Sequence, residues 1–355
     1  MSHIRQRFHN LSATAIIIAA GWMFYGLVPY YQQFFSQQTT LFNGWEIGHW
    51  QILQTATAGY ALLLAIFYLT ERAPRMSKSI WCLRALRRLL TSPGAVLRGG
   101  WSYEERLGLL TLLLKFFFAP LMLVWLVDHV IVMVNNGVGL THQFGALSTR
   151  FLDVFNANGY WCLFQLILFL DVFFYTVGYL VELPGLKNEI RSVDPTWLGW
   201  GVALACYPPF NGLTNQVLGW HSTDFPQFGN PAVHLAANFC LLGLMGVYTW
   251  ASVALNLRAS NLTHRGIVAS GPYRFIRHPA YVCKNLAWWI GLQPALWDAL
   301  HSSPIAAVLI VGSMCGWSFI YALRALTEER HLRSVDDEYD RYRQRVKYRF
   351  IPGVI

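Results

Sequence analysis

The densest cluster of polar, glycine and proline residues in the chain is 264–285, HRGIVASGPYRFIRHPAYVCKN. Pro279 suits the first turn of a helix, where its missing N–H would have no partner anyway. The other N–H groups of that turn form a site for a carboxylate or a phosphate. His278 directly precedes the proline, Tyr281 follows within the turn, and Gly271-Pro272-Tyr273 makes a tight turn ahead of them. The chemistry on offer is anion binding, with His278 or a tyrosine available as a base. A plain helix start with a basic flank would look the same. A second cluster, Thr327-Glu328-Glu329, lies some 50 residues on.

The elements that position these clusters are membrane spans. Of 355 residues only 13% are charged, about half the share of a soluble globular chain, and 55% are hydrophobic. A bilayer core needs roughly 20 apolar residues per helix. Eight stretches qualify: 11–30, 51–70, 107–127, 160–183, 196–213, 232–256, 281–298 and 304–325, the fifth being weakest because Pro208-Pro209 breaks it. Alternate loops hold 25 of the 27 basic residues, which puts both termini in the cytoplasm. The expected fold is therefore an all-α, polytopic integral membrane protein with about eight transmembrane helices. Residues 1–230 supply the first five spans, of unassigned role, and 231–355 supply three spans and a cytoplasmic tail helix. The short Asp298–Pro304 link makes the last two spans an antiparallel hairpin, so RHPAY and TEER meet at its cytoplasmic end.

Other features have plainer readings. The net charge of +9 is explained by topology and contact with membrane lipids, and no nucleic-acid-binding module accompanies it. Six dispersed cysteines indicate neither a disulfide framework nor a metal site. The 71–106 loop is expected to hold an amphipathic helix on the inner leaflet, with Arg84, Arg87 and Arg88 on its polar side. Asp171, Tyr175, Tyr179 and Glu182 share one helix face, which should look inward, and Lys115 is placed to pair with Asp171. Asp128-His129 is expected at the outer end of the third span, and 209–231 as an outer loop or cap.

SGPYRFIRHPAYVCKNLAWWIGLQ, LTEERHL, YDRYRQRV and the closing IPGV together resemble the isoprenylcysteine carboxyl methyltransferases and the wider integral-membrane phospholipid and thiol methyltransferases. The resemblance covers about residues 255–355. It implies methyl transfer from S-adenosyl-L-methionine bound at the cytoplasmic end of the hairpin. Cofactor contacts then fall on Gly271, Tyr273, His278, Pro279, Tyr281, Glu328 and Glu329. Arg277 and Arg345 match the arginines that hold a substrate carboxylate. The acceptor is expected to be a lipophilic small molecule or a prenylated substrate. Two departures stand out: Cys283-Lys284 replaces a small residue, usually glycine, and Val346-Lys347-Tyr348 replaces a Val-Pro. A membrane reductase of the sterol-reductase type, using NADPH, is the competing enzyme reading. A non-enzymatic membrane protein with a decayed pocket is the third. A bacterial inner membrane is the expected location, or the endoplasmic reticulum in a eukaryote.

Overall fold

The computed structural model describes residues 3–354, nearly all of them helical or in short links. They pack as two compact units, one of residues up to 131 with 190–193, the other of 132–189 with 194 onward.

The first unit holds α1 (His3–Leu27), α2 (Pro29–Phe35), α3 (His49–Thr70), α4 (Lys78–Thr91), α5 (Pro93–Gly99) and most of α6 (Tyr103–His142). Between α2 and α3 lies a small antiparallel hairpin, β1 (Gln38–Thr40) with β2 (Glu46–Gly48). Tyr25, Phe35, Leu53 and Val124 form its buried apolar centre. Pro120 interrupts the hydrogen-bond ladder of α6, since it has no N–H for the carbonyl of Phe116. The Tyr25 hydroxyl donates to that carbonyl instead, at 2.6 Å. In the 71–106 stretch α4 is amphipathic: Ile80, Cys82 and Ala85 are buried, and Ser77 caps its start by accepting from the Ile80 N–H.

The helix that carries Asp128-His129 extends well beyond the expected third span. α6 runs 40 residues, roughly 60 Å, and carries the pair well inside the helix. Asp128 lies 3.2 Å from the buried His49 and accepts from Thr39.

The second unit holds α7 (Phe151–Val154), which passes through a π turn into α8 (Tyr160–Leu180), then α9 (Trp197–Leu204), α10 (Phe210–Leu218) and α11 (Pro231–Leu255). α12 (Pro279–Gly291), α13 (Gln293–Ser302), α14 (Pro304–Val335) and α15 (Glu338–Arg345) follow. α11 packs against both α8 and α12, and α13 turns back along α14. Phe155, Tyr160, Phe164, Leu241, Leu242, Met245 and Ala287 form the core between α8, α11 and α12.

Six helices among the described residues are long and apolar enough to cross a membrane, not eight. The expected span 196–213 is two short helices, α9 and α10, on either side of a cis Pro208–Pro209 bond. The expected span 281–298 is α12 and α13, broken at Leu292. Large apolar side chains face outward on the long helices, among them Leu62, Leu63 and Ile66 on α3 and Ile305, Val308 and Leu309 on α14. Such faces suit lipid, not water.

Candidate functional site

α14 continues unbroken past its apolar stretch, so Thr327, Glu328 and Glu329 are helical residues. Adjacent residues on a helix point about 100° apart. The two glutamates consequently enter different surroundings. The Glu329 side chain is 5% exposed and the Glu328 side chain 47%.

Glu329 is the centre of a buried ionic knot. Its Oε1 accepts from Arg277 Nε at 2.8 Å, lies 3.1 Å from His278 Nε2, and accepts from Arg349 Nε at 3.0 Å. Its Oε2 accepts from Arg349 Nη2 at 3.0 Å. A carboxylate only accepts, so His278 Nε2 carries the proton of that contact. The knot ties the C-terminal strand of chain to the loop before α12. Arg277 Nη1 donates to the carbonyls of Val346 and Lys347, and the backbone N–H groups of Arg277 and His278 donate to the carbonyls of Tyr348 and Arg349. Tyr339, Tyr342 and Val346 close over the same loop, with Tyr342 Oη donating to the Tyr273 carbonyl at 2.7 Å.

Glu328 faces a cleft of about 70 Å³ that opens to solvent. Tyr273, His278, Ala280, Tyr281, Arg324 and Glu328 contribute to its lining, with Tyr175 and Asn261. Tyr281 Oη donates to Glu328 at 3.0 Å, and the Tyr281 ring stacks on His278 with 5.3 Å between centroids. His278 thus holds Glu329 with Nε2 while Nδ1 lies 4.0 Å from Glu328. Burial, and then the Glu328 carboxylate, push the Tyr273 phenol well above its usual range, so it stays a neutral donor.

Arg324 lies one turn before Glu328 on the same face. It is 7% exposed, and Nη2 donates to Asn261 Oδ1 at 3.0 Å. Its guanidinium sits against the rings of Tyr321, Tyr281 and Tyr207 at 5.0, 5.2 and 5.9 Å. Among the described residues no carboxylate comes within ion-pair distance of it. Asn261 is fixed in turn by Tyr179 Oη, which accepts from both its backbone and its side-chain N–H groups. Asp171 accepts from Tyr248 Oη at 2.6 Å and from Ser252.

Of the residues read from the sequence, the structure brings Tyr273, His278, Tyr281 and Glu328 to the cleft. Pro279 opens α12 beside them with no capping side chain. Gly271 has φ +59°, and a Cβ there would lie 2.8 Å from that of Ala254, so it shapes the turn. Glu329 and Arg277 sit in the knot behind the cleft. Arg345 ends α15 on the exposed surface and is not in the cleft lining. The sequence reading missed Arg324, Asn261 and Arg349. Arg324 had one usable signal, its four-residue spacing from Glu328.

Residues 236–334 match the isoprenylcysteine carboxyl methyltransferase (ICMT) family, which bears out the resemblance over that stretch. A similar protein is the cobalt-zinc-cadmium resistance protein CzcN of Cupriavidus metallidurans, 33% identical over 110 residues. The matched part is 29% of this chain and 45% of that relative, so the chain spans less than half the relative's length. No solved structure matches.

Proposed function

We propose that the chain is an integral-membrane methyltransferase that carries a methyl group from S-adenosyl-L-methionine to an anionic, lipid-soluble acceptor. The observation that carries this reading is Arg324, a buried guanidinium lining the cleft with no carboxylate partner among the described residues. A buried charge without a counter-ion is costly even when hydrogen-bonded and packed on rings, so a ligand anion is the natural complement.

The cleft suits the donor. Glu328 offers acceptor oxygens for an ammonium or ribose hydroxyls, and the uncapped N–H groups of Ala280 and Tyr281 suit a carboxylate. The Tyr281 ring offers a face to a cationic centre. When bound, the donor supplies an electrophilic methyl group on a sulfonium sulfur. The chain's own residues supply position: Arg324 turns an acceptor carboxylate toward the cleft, and the surrounding tyrosine rings pack around its guanidinium. A carboxylate acceptor needs no general base at neutral pH. Alignment alone can account for roughly 7–11 kcal/mol of such a barrier.

The same reading places both termini and the cleft in the cytoplasm, where a soluble donor is present. α9 with α10, and α12 with α13, then serve as broken crossings, giving eight in a bacterial inner membrane. The test is transfer of labelled methyl from S-adenosyl-L-methionine into extracted membrane amphiphiles. Wild type should label acidic acceptors, and Arg324→Met should lower kcat/KM by roughly a hundredfold or more. Equal labelling by Arg324→Met, or labelling confined to neutral lipids, would overturn the reading.

A further inference from the structure

One turn beyond Tyr281 on α12 stands a second cation that the proposed reaction does not use. Lys284 belongs to the Cys283-Lys284 pair that stands where the resemblance leads one to expect a small residue. Its Nζ lies over the ring of Tyr248 at 5.3 Å and that of Trp288 at 5.6 Å. Among the described residues no carboxylate lies within ion-pair distance of it. Asp171 on the neighbouring helix is already held by Tyr248 and Ser252. Asp224 feels the charge of Lys284, but its carboxyl is pushed up toward the neutral form by burial.

Lys284 and Arg324 are linked by an aromatic wall. Trp288 packs edge-on against Tyr321 with 5.0 Å between centroids, and Tyr321 lies 5.0 Å from the Arg324 guanidinium. The far end of this wall is closed by the 219–226 segment. Trp220 packs edge-on against Trp288 and Trp317, Ser222 Oγ donates to the Trp288 carbonyl, and the Thr223 N–H donates to that of Gly291. An ammonium and a guanidinium, neither with a carboxylate partner among the described residues, thus stand along one aromatic wall, Arg324 in the cleft lining and Lys284 beyond it. A hydrocarbon tail suits its rings, and a single carboxylate would satisfy only one of its cations.

We propose that Lys284 is a specificity-determining residue of an anion site shared with Arg324, so that the preferred acceptor is an amphiphile bearing two acidic groups. Arg324 holds the group that reacts, and Lys284 holds the second. The inference rests on the methyltransferase reading for which group reacts, but the anion site is measurable without it.

The experiment uses purified full-length protein in a nonionic detergent. Binding of three amphiphiles with the same alkyl chain and no, one or two carboxylates is followed by tryptophan fluorescence and calorimetry. Wild type should bind the dicarboxylate at least about tenfold more tightly than the monocarboxylate. In Lys284→Met that preference should vanish, while Lys284→Arg should keep it and affinity for the monocarboxylate should hold in all three. Equal affinity of wild type for the two acids, or a preference that survives Lys284→Met, would overturn the proposal. Titration of the same samples with S-adenosyl-L-methionine separates the two ideas. Failure of that ligand to bind sinks the methyltransferase reading, whereas the charge preference and its loss are read without it.

Discussion

Glu328 and Glu329 are neighbours in sequence and opposites in role, because a helix turns them about 100° apart. One faces the cleft; the other binds both Arg277 and Arg349 in a buried knot. Removing the charge of a buried, hydrogen-bonded partner costs about 3–5 kcal/mol, since it leaves the opposing charges uncompensated. Glu329→Gln should therefore lower the thermal unfolding temperature of the detergent-solubilised protein, while Glu328→Gln should leave it unchanged and weaken donor binding. The reverse pattern in paired melting and binding curves would refute this division of labour. Sequence alone put both glutamates and His278 at one site, because RHP and TEE are compact motifs on a short hairpin. It could not divide them, since burial is set by how the tail folds back. Arg349 escaped notice for the same reason. Arg277 was read as an arginine for substrate; here two of its nitrogens hold Glu329 and the tail carbonyls.

At the scale of elements, the site depends on a hairpin and a strap. α13 and α14 run antiparallel through the tight Ser302–Pro304 turn, where Ser303 caps α14 by accepting from the Ala306 N–H. The opposite end of α14 carries the glutamates. If that end faces the cytoplasm, a cysteine at Ser334 should react with an impermeant thiol reagent only after the membrane is opened. A cysteine at Ser302 should react in intact cells, both in a background lacking the six native cysteines. The opposite labelling would invert the orientation argued from charge. Hydropathy found the long helices well and misjudged the broken ones. α12 with α13 reads as one apolar stretch because hydropathy averages across the break at Leu292, although Gly291 and Pro294 mark it. α6 runs past the end of its apolar stretch, and there Asp128 meets His49 and Thr39, partners distant in sequence.

For the whole molecule, the charge distribution and the cleft point the same way. Basic residues gather in alternate loops, and the cleft lies at the end of α14 adjoining the basic tail. Its lining is not confined to the family-matched stretch: Tyr175, Asp194, Gly199 and Ala203 come from upstream of residue 231. The helices before α11 in the second unit thus shape the site, a role that their hydropathy alone did not reveal. The central claim is that this cleft holds a methyl donor, and a paired titration tests it most directly. Purified protein is titrated by calorimetry with S-adenosyl-L-methionine and, separately, with NADPH. The account predicts saturable binding of S-adenosyl-L-methionine, weakened in Glu328→Gln, and no response to NADPH. Saturable NADPH binding with no response to S-adenosyl-L-methionine would contradict it.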